Sequence, residues 1–253
     1  MRGKPYHFGG WIQMLDRRLY PAWGRLTQAV RTNQPTSWNP EEQAHLFDGE
    51  DPLLLALFWE AMHSLSTITA HQLATHLDLT AATALLDLGG GSGAYPIELC
   101  RRYPHLHATV LDLPAVCAIA ASKIKAAGLS DRIQTHPGDF FTDPDLPAGH
   151  DLVLLSMILH DWTPEQDRAI LAKCFAALPS GGQLVISELL VNNDKTGPAA
   201  AALMSLNMLV ETVGRNYTPA EYGTWLRDTG FVDIHTVWFE APGANGAIIA
   251  RKP

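Results

Sequence analysis

With 253 residues, 47% of them hydrophobic and 17% charged, the chain can close one sizeable core with some additional helical structure. A formal net charge of -8 and a pI of about 5.7 repel nucleic acid and anionic membrane surfaces, so neither is an expected partner and a small-molecule ligand fits better. Cys100, Cys117 and Cys174 are odd in number and lack CxxC spacing, and no basic apolar leader or run of ~18 apolar residues occurs, so a cytoplasmic, non-membrane protein is expected.

From Trp11 to Val30, Leu15, Leu19, Trp23 and Leu26 recur at helical spacing, and the Pro/Asn-rich stretch Asn33 to Pro40 reads as a linker. A second helix is predicted from about Pro52 to Leu77, with Leu54, Phe58, Met62 and Leu65 on one face. The first strand follows at Ala84 to Leu88. Apolar strand candidates near 107–111, 132–136, 151–156 and 183–188 then alternate with helical candidates near 93–102, 114–127 and 164–178, the βαβ rhythm of a parallel sheet. After helices near 199–211 and 218–228 the rhythm changes. Val232–Phe239 and Ala247–Ala250 are joined by the turn-rich Pro242-Gly243-Ala244-Asn245-Gly246, too short for a parallel crossover, so these two strands form an antiparallel hairpin. The expected fold is α/β and Rossmann-like: a seven-stranded, mostly parallel sheet with a C-terminal hairpin, preceded by connecting helices.

Leu85-Leu86-Asp87-Leu88-Gly89-Gly90-Gly91-Ser92-Gly93-Ala94 joins the first strand to a helix, and its small residues let backbone approach a ligand at the carboxyl edge of the sheet. Gly89, Gly91 and Ala94 fit the loose dinucleotide pattern G-x-G-x-x-G/A, which alone does not separate a dinucleotide from S-adenosylmethionine. Asp87 does separate them. Its carboxylate, just before the loop, repels a pyrophosphate and suits the ammonium and sulfonium of S-adenosylmethionine. Asp112, in Leu111-Asp112-Leu113-Pro114 at the end of the second strand, can accept both ribose hydroxyls, or instead cap the next helix. Asp139, in Gly138-Asp139-Phe140-Phe141 after the third strand, can accept from an adenine amino group while Phe140 packs on the ring, or can be a turn acid. Three acids at the ends of successive strands, in register with a glycine loop, favour the cofactor reading. Leu113, Gly138 and Gly93, with Ser156 at the end of the fourth strand, complete the expected cofactor-binding set.

The fourth strand runs into Ser156-Met157-Ile158-Leu159-His160-Asp161-Trp162, so His160 sits where ligands bind in such sheets. Thr163-Pro164-Glu165-Gln166 follows as a helix-start signature. By itself a histidine here is either a catalytic base or a structural residue at the strand-to-helix junction. The motifs LLDLGGGSG at 85–93, LDLP at 111–114, GDFF at 138–141, LHDW at 159–162, SGGQLVISE at 180–188, GRNYTPAEY at 214–222 and the closing GANGAIIARKP together resemble the plant-type O-methyltransferases and their bacterial relatives, which include hydroxyindole, caffeate and antibiotic-tailoring enzymes.

That resemblance covers nearly the whole chain and implies a class I methyltransferase fold that uses S-adenosylmethionine to methylate a hydroxyl of a small hydrophobic or aromatic molecule. It implies residues 1–47 as a helical connecting segment and 48–253 as the catalytic domain. His160 would take the acceptor's proton and Glu188 would orient its other ring nitrogen. Met157, Trp162, Met204, Asn207 and Met208 would line the acceptor pocket, Asn207 because a buried amide needs a partner and the methionines because thioethers adapt to an aromatic guest. Two departures stand out. Asn216 occupies the place of a second histidine-flanking acid, and the N-terminal winged-helix domain that dimerises family members is not seen, so weak self-association through the Trp11–Val30 stripe is expected. Carbon methylation and a cofactor-binding subunit are the alternatives. A metal site is not expected, because no histidine lies between Asp161 and Ile234.

Overall fold

The computed structural model describes residues 9–38, 42 and 52–253, with side chains from Leu55 onward in the last stretch, so the Leu54 side chain and Asn39–Pro40 lie outside the described residues. The first helix is not the single rod that its apolar spacing predicts. Helix α1 (Gly9–Met14) widens into a π segment (Leu15–Leu19), continues as α2 (Tyr20–Trp23), breaks at Gly24 and Arg25, and resumes as α3 (Leu26–Thr32). Pro21 explains the widening: it has no N–H to donate and its ring crowds the preceding turn, so the Tyr20 N–H bonds back to the Leu15 carbonyl instead. Asn33, in the left-handed region with φ 52°, closes α3.

Helix α4 (Pro52–His76) leads to the sheet, whose elements are β1 (Ala84–Leu88), α5 (Ala94–Arg102), β2 (His107–Asp112), α6 (Pro114–Ala126), β3 (Ile133–Pro137), β4 (Leu152–Ser156), a 3-10 turn (Leu159–Asp161), α7 (Pro164–Ala177), β5 (Gln183–Glu188), α8 (Ala199–Glu211), α9 (Pro219–Thr229), β6 (Val232–Trp238) and β7 (Gly246–Arg251). The seven strands lie in the order β3-β2-β1-β4-β5-β7-β6. Strands β1 to β5 run parallel, whereas β7 is antiparallel to both β5 and β6, as the short hairpin link requires.

Alternate strand residues feed two cores. Leu85, Val110, Leu154 and Val185 pack against α4, α5 and α6 through Leu73, Ile97, Cys100 and Ile124. Leu86, Leu111, Leu155 and Ile186 face the other way, onto Ile170 and Leu171 of α7 and Trp225 and Leu226 of α9. Burial on both faces is why these strands read as continuous apolar runs. All three cysteines are free and buried among the helices. Met14 and Leu19 pack with Ala61 of α4, and Ala22 and Ala29 with Val210 of α8, so much of the N-terminal apolar stripe is covered. Among the described residues no helix is long and apolar enough to cross a membrane.

Candidate active site

Strand order reverses between β1 and β4, and a crevice opens there at the carboxyl ends of the strands. It is a cavity of about 470 Å³, walled by the glycine loop, the ends of β1 to β4, α4, α8 and the N-terminal helices. Gly89 and Gly91 take φ of 68° and 56°, a backbone form that favours glycine, and a Cβ on Gly89 would lie 2.5 Å from the Ile158 side chain. Asp87, Asp112, Leu113, Gly138, Asp139, Phe140 and Ser156 all line this cavity. Gly93 does not. It turns the chain into α5 at φ 74° and packs near Ile124 and Val110, so its need for glycine is conformational.

The acids differ in their environments. Asp87 is buried and its Oδ2 has no hydrogen-bond partner, and burial, reinforced by the Asp112 charge, pushes its pKa up to about 8. Asp112 accepts from the Gly91 and Leu113 N–H groups, each at 2.8 Å, and burial outweighs these bonds to raise its pKa to about 6. Asp139 accepts from the Phe141 N–H at 2.8 Å, so it shapes its own turn as well as facing the cavity. Phe140, Phe141 and Trp162 form an aromatic cluster beside it.

His160 lies on the 3-10 turn between β4 and α7. Thr163 caps α7 through a reciprocal box with Gln166, which fixes the exit of that turn. The imidazole is buried, and its Nδ1 is 2.6 Å from Glu188 Oε2, while Glu188 Oε1 accepts from the Ile158 N–H at 3.1 Å. Glu188 ends β5 and sits behind the histidine, outside the cavity lining, so Nε2 is the nitrogen left for a ligand. Asp161 Oδ1 is 3.6 Å from Nε2. Burial pulls the His160 pKa down, but the Glu188 and Asp161 charges and the hydrogen bond more than offset it, leaving it at about 9.

Asn216 does not reach the histidine: its Nδ2 donates to the Leu189 carbonyl at 2.8 Å and its Oδ1 is buried without a partner. Asp161, unassigned by sequence reasoning although it stands in the LHDW motif, is the second acid beside His160. Met157, Trp162, Met204, Asn207 and Met208 all line the cavity. Asn207 has the partner that a polar residue in an apolar helix requires: it accepts from Trp23 Nε1 at 2.9 Å and donates to Glu211, which Arg18 also contacts at 2.8 Å. This network ties the N-terminal helices to α8.

A family model described as an O-methyltransferase domain matches residues 23–232. The chain is 55% identical over 99% of its length to a 3-hydroxy-5-methyl-1-naphthoate 3-O-methyltransferase of Streptomyces sahachiroi, covering 72% of that protein. It is 37% identical over its full length to the tetracenomycin polyketide synthesis 8-O-methyl transferase of Streptomyces glaucescens, covering 73% of that protein. The chain belongs to the O-methyltransferase family. Among solved structures, the human N-acetylserotonin methyltransferase in complex with its donor superposes on this O-methyltransferase with a TM-score of 0.90, at 30% identity, over all of this chain and 72% of that one.

The methyl donor of the enzyme is S-adenosylmethionine and its acceptor is a small molecule. The donor set fits such a cofactor: the orphaned, buried oxygen of Asp87 calls for a cationic hydrogen-bond donor, and the glycine loop leaves room for a ligand against its backbone. Sequence reasoning missed Trp59, Tyr95 and Glu211 on the cavity wall, and Gly214, whose Cβ would collide with the His160 carbonyl and the Trp162 N–H. Gly214 opens the GRNYTPAEY motif, but nothing local marks it, because the approach it permits comes from a distant segment.

Proposed function

We propose that this O-methyltransferase methylates a phenolic hydroxyl of a small aromatic secondary metabolite, with His160 as general base and Glu188 as its positioning residue. The observation that carries this reading is the buried 2.6 Å pair of His160 Nδ1 and Glu188, standing at a cavity walled by Met157, Trp162, Met204 and Met208. Glu188 fixes the proton on Nδ1, which leaves Nε2 as the acceptor for a phenol proton. When bound, S-adenosylmethionine supplies a methyl group activated by its sulfonium. Asp87 would hold its ammonium, Asp112 its ribose hydroxyls and Asp139 its adenine amino group, with Leu113, Gly138, Phe140 and Ser156 around them.

The proton balance is favourable. A phenol with pKa near ~10 gives its proton to a neutral imidazole whose conjugate acid is held at about 9, so transfer is close to isoenergetic. A cation bound nearby lowers the histidine's pKa and favours the neutral, basic form. Residues 1–47 act in this reading as a connecting segment that contributes Trp11, Met14 and Trp38 to the wall, and 48–253 as the catalytic unit.

The test is mass spectrometry and NMR of products from a panel of hydroxynaphthoates, polyketide phenols and keto acids. Methyl groups on phenolic oxygen are expected. Methylation at carbon, or turnover of no phenol in the presence of donor, would overturn the proposal.

A further inference from the structure

Helix α4 turns Trp59, Met62, His63 and Ser66 toward the glycine loop, at spacings that share one helix face. Trp59, Met62 and Ser66 line the cavity, and the Trp59 ring would lie 3.0 Å from a Cβ on Gly91, so helix and loop are in close contact. His63 Nδ1 lies 2.8 Å from the Ser92 hydroxyl, and Ser92 is itself buried and on the cavity wall.

The loop has few other donors to give. The Gly89 and Gly90 N–H groups donate to the Leu111 carbonyl, Gly91 to Asp112, and Gly93 to the Gly90 carbonyl. The lining carries Asp87, Asp112, Asp139, Asp161 and Glu211, and among the described residues it includes no lysine or arginine. S-adenosylmethionine nevertheless brings a carboxylate beside its ammonium, and an anion in such surroundings needs neutral donors.

We propose that Ser92, held by His63, is the hydroxyl that donates to the carboxylate of the cofactor's amino-acid end. In this reading His63 carries its proton on Nδ1, 2.8 Å from Ser92 Oγ, and donates it there, which leaves the serine's own proton for the ligand. Ser92 is thus a binding residue and His63 a positioning residue. Burial, with the Lys123 and Arg101 charges and against that of Glu60, lowers the His63 pKa to about 4, so at neutral pH it is an uncharged imidazole with one proton to donate. The inference rests on the cofactor assignment and is independent of His160.

Calorimetry with three ligands tests it: S-adenosylhomocysteine, its decarboxylated analogue, and 5′-methylthioadenosine, which lacks the amino-acid end. In the unaltered protein, loss of the carboxylate should weaken binding about tenfold or more, as expected for a charge-assisted hydrogen bond. In Ser92→Ala that penalty should fall to about twofold, and methylthioadenosine should bind both proteins alike. His63→Gln should show the same pattern at reduced size. A carboxylate penalty that persists in Ser92→Ala, or equal weakening of all three ligands in both variants, would overturn the proposal, the latter because the pair would then only shape the loop.

Discussion

At the scale of single residues, two buried carboxylates, Asp87 on the cavity wall and Glu188 behind His160, are used in opposite ways. Glu188 satisfies both oxygens, on His160 and on the Ile158 N–H, and its charge helps hold the imidazolium up to about 9. A base must be deprotonated to act, so turnover should rise with pH through the histidine's pKa, and Glu188→Gln, which removes one anion, should move that limb to lower pH. His160→Ala should lower kcat by ~10²–10⁴-fold and leave S-adenosylhomocysteine affinity unchanged, and high pH should partly rescue it on an acidic phenol. Steady-state pH profiles alongside calorimetry check both statements, and full activity of His160→Ala at neutral pH would return the histidine to a structural role. Asp87 is the contrary case. Its folded pKa of about 8 stands above the ordinary 3.8, so between those values the folded state holds a proton the unfolded chain has released, and stability falls as pH rises. Asp87→Asn should therefore stabilise the ligand-free protein at pH 8, by about 1–3 kcal/mol, and abolish most of the thermal shift given by S-adenosylhomocysteine. A ligand-free Tm no higher than that of the unaltered protein would refute this account.

At the scale of elements, the strand-to-helix turn that carries His160 is held from two sides. The Thr163–Gln166 capping box fixes where α7 begins, and Gly214 lets the segment after α8 lie directly against the 160–162 backbone. Gly214→Ala places a methyl into that contact and should displace the turn. Because a shift of about 1 Å at a catalytic group can lower rate ~10²-fold, kcat should drop by that order while cofactor affinity stays within about twofold. Kinetics with binding on the same preparation separates the two; an unaltered kcat would mean the segment after α8 yields instead.

At the scale of the whole molecule, the N-terminal helices are joined to the α/β body by packing on α4 and α8 and by the Trp23, Asn207, Glu211 and Arg18 network. That leaves Ile12, Tyr20 and Val30, and on α8 Leu203, exposed. Singly exposed apolar residues offer little area for a tight interface, and the predicted outcome is a weak monomer–dimer equilibrium. Sedimentation across micromolar concentrations should show the shift, and a single tight dimer at nanomolar concentration would refute it.

Much of this molecule is legible in its sequence because the signals are local. The apolar strand runs and helical spacings, the turn-rich link before Gly246 and the glycine loop mark elements and the sheet's reversal, and acids at strand ends follow once parallel strands are assumed. The π segment before Pro21 was readable in principle, but apolar spacing concealed it. What only tertiary structure decides is which groups meet across distant segments. Asn216 turns to the Leu189 carbonyl and away from His160, Asn207 takes its partner from Trp23, His63 reaches Ser92, and Gly214 admits the 160–162 backbone. Spacing along a chain fixes which face of an element a side chain occupies, whereas hydrogen bonds and close contacts depend on the distance between elements, and that distance is set by the packing of the whole core.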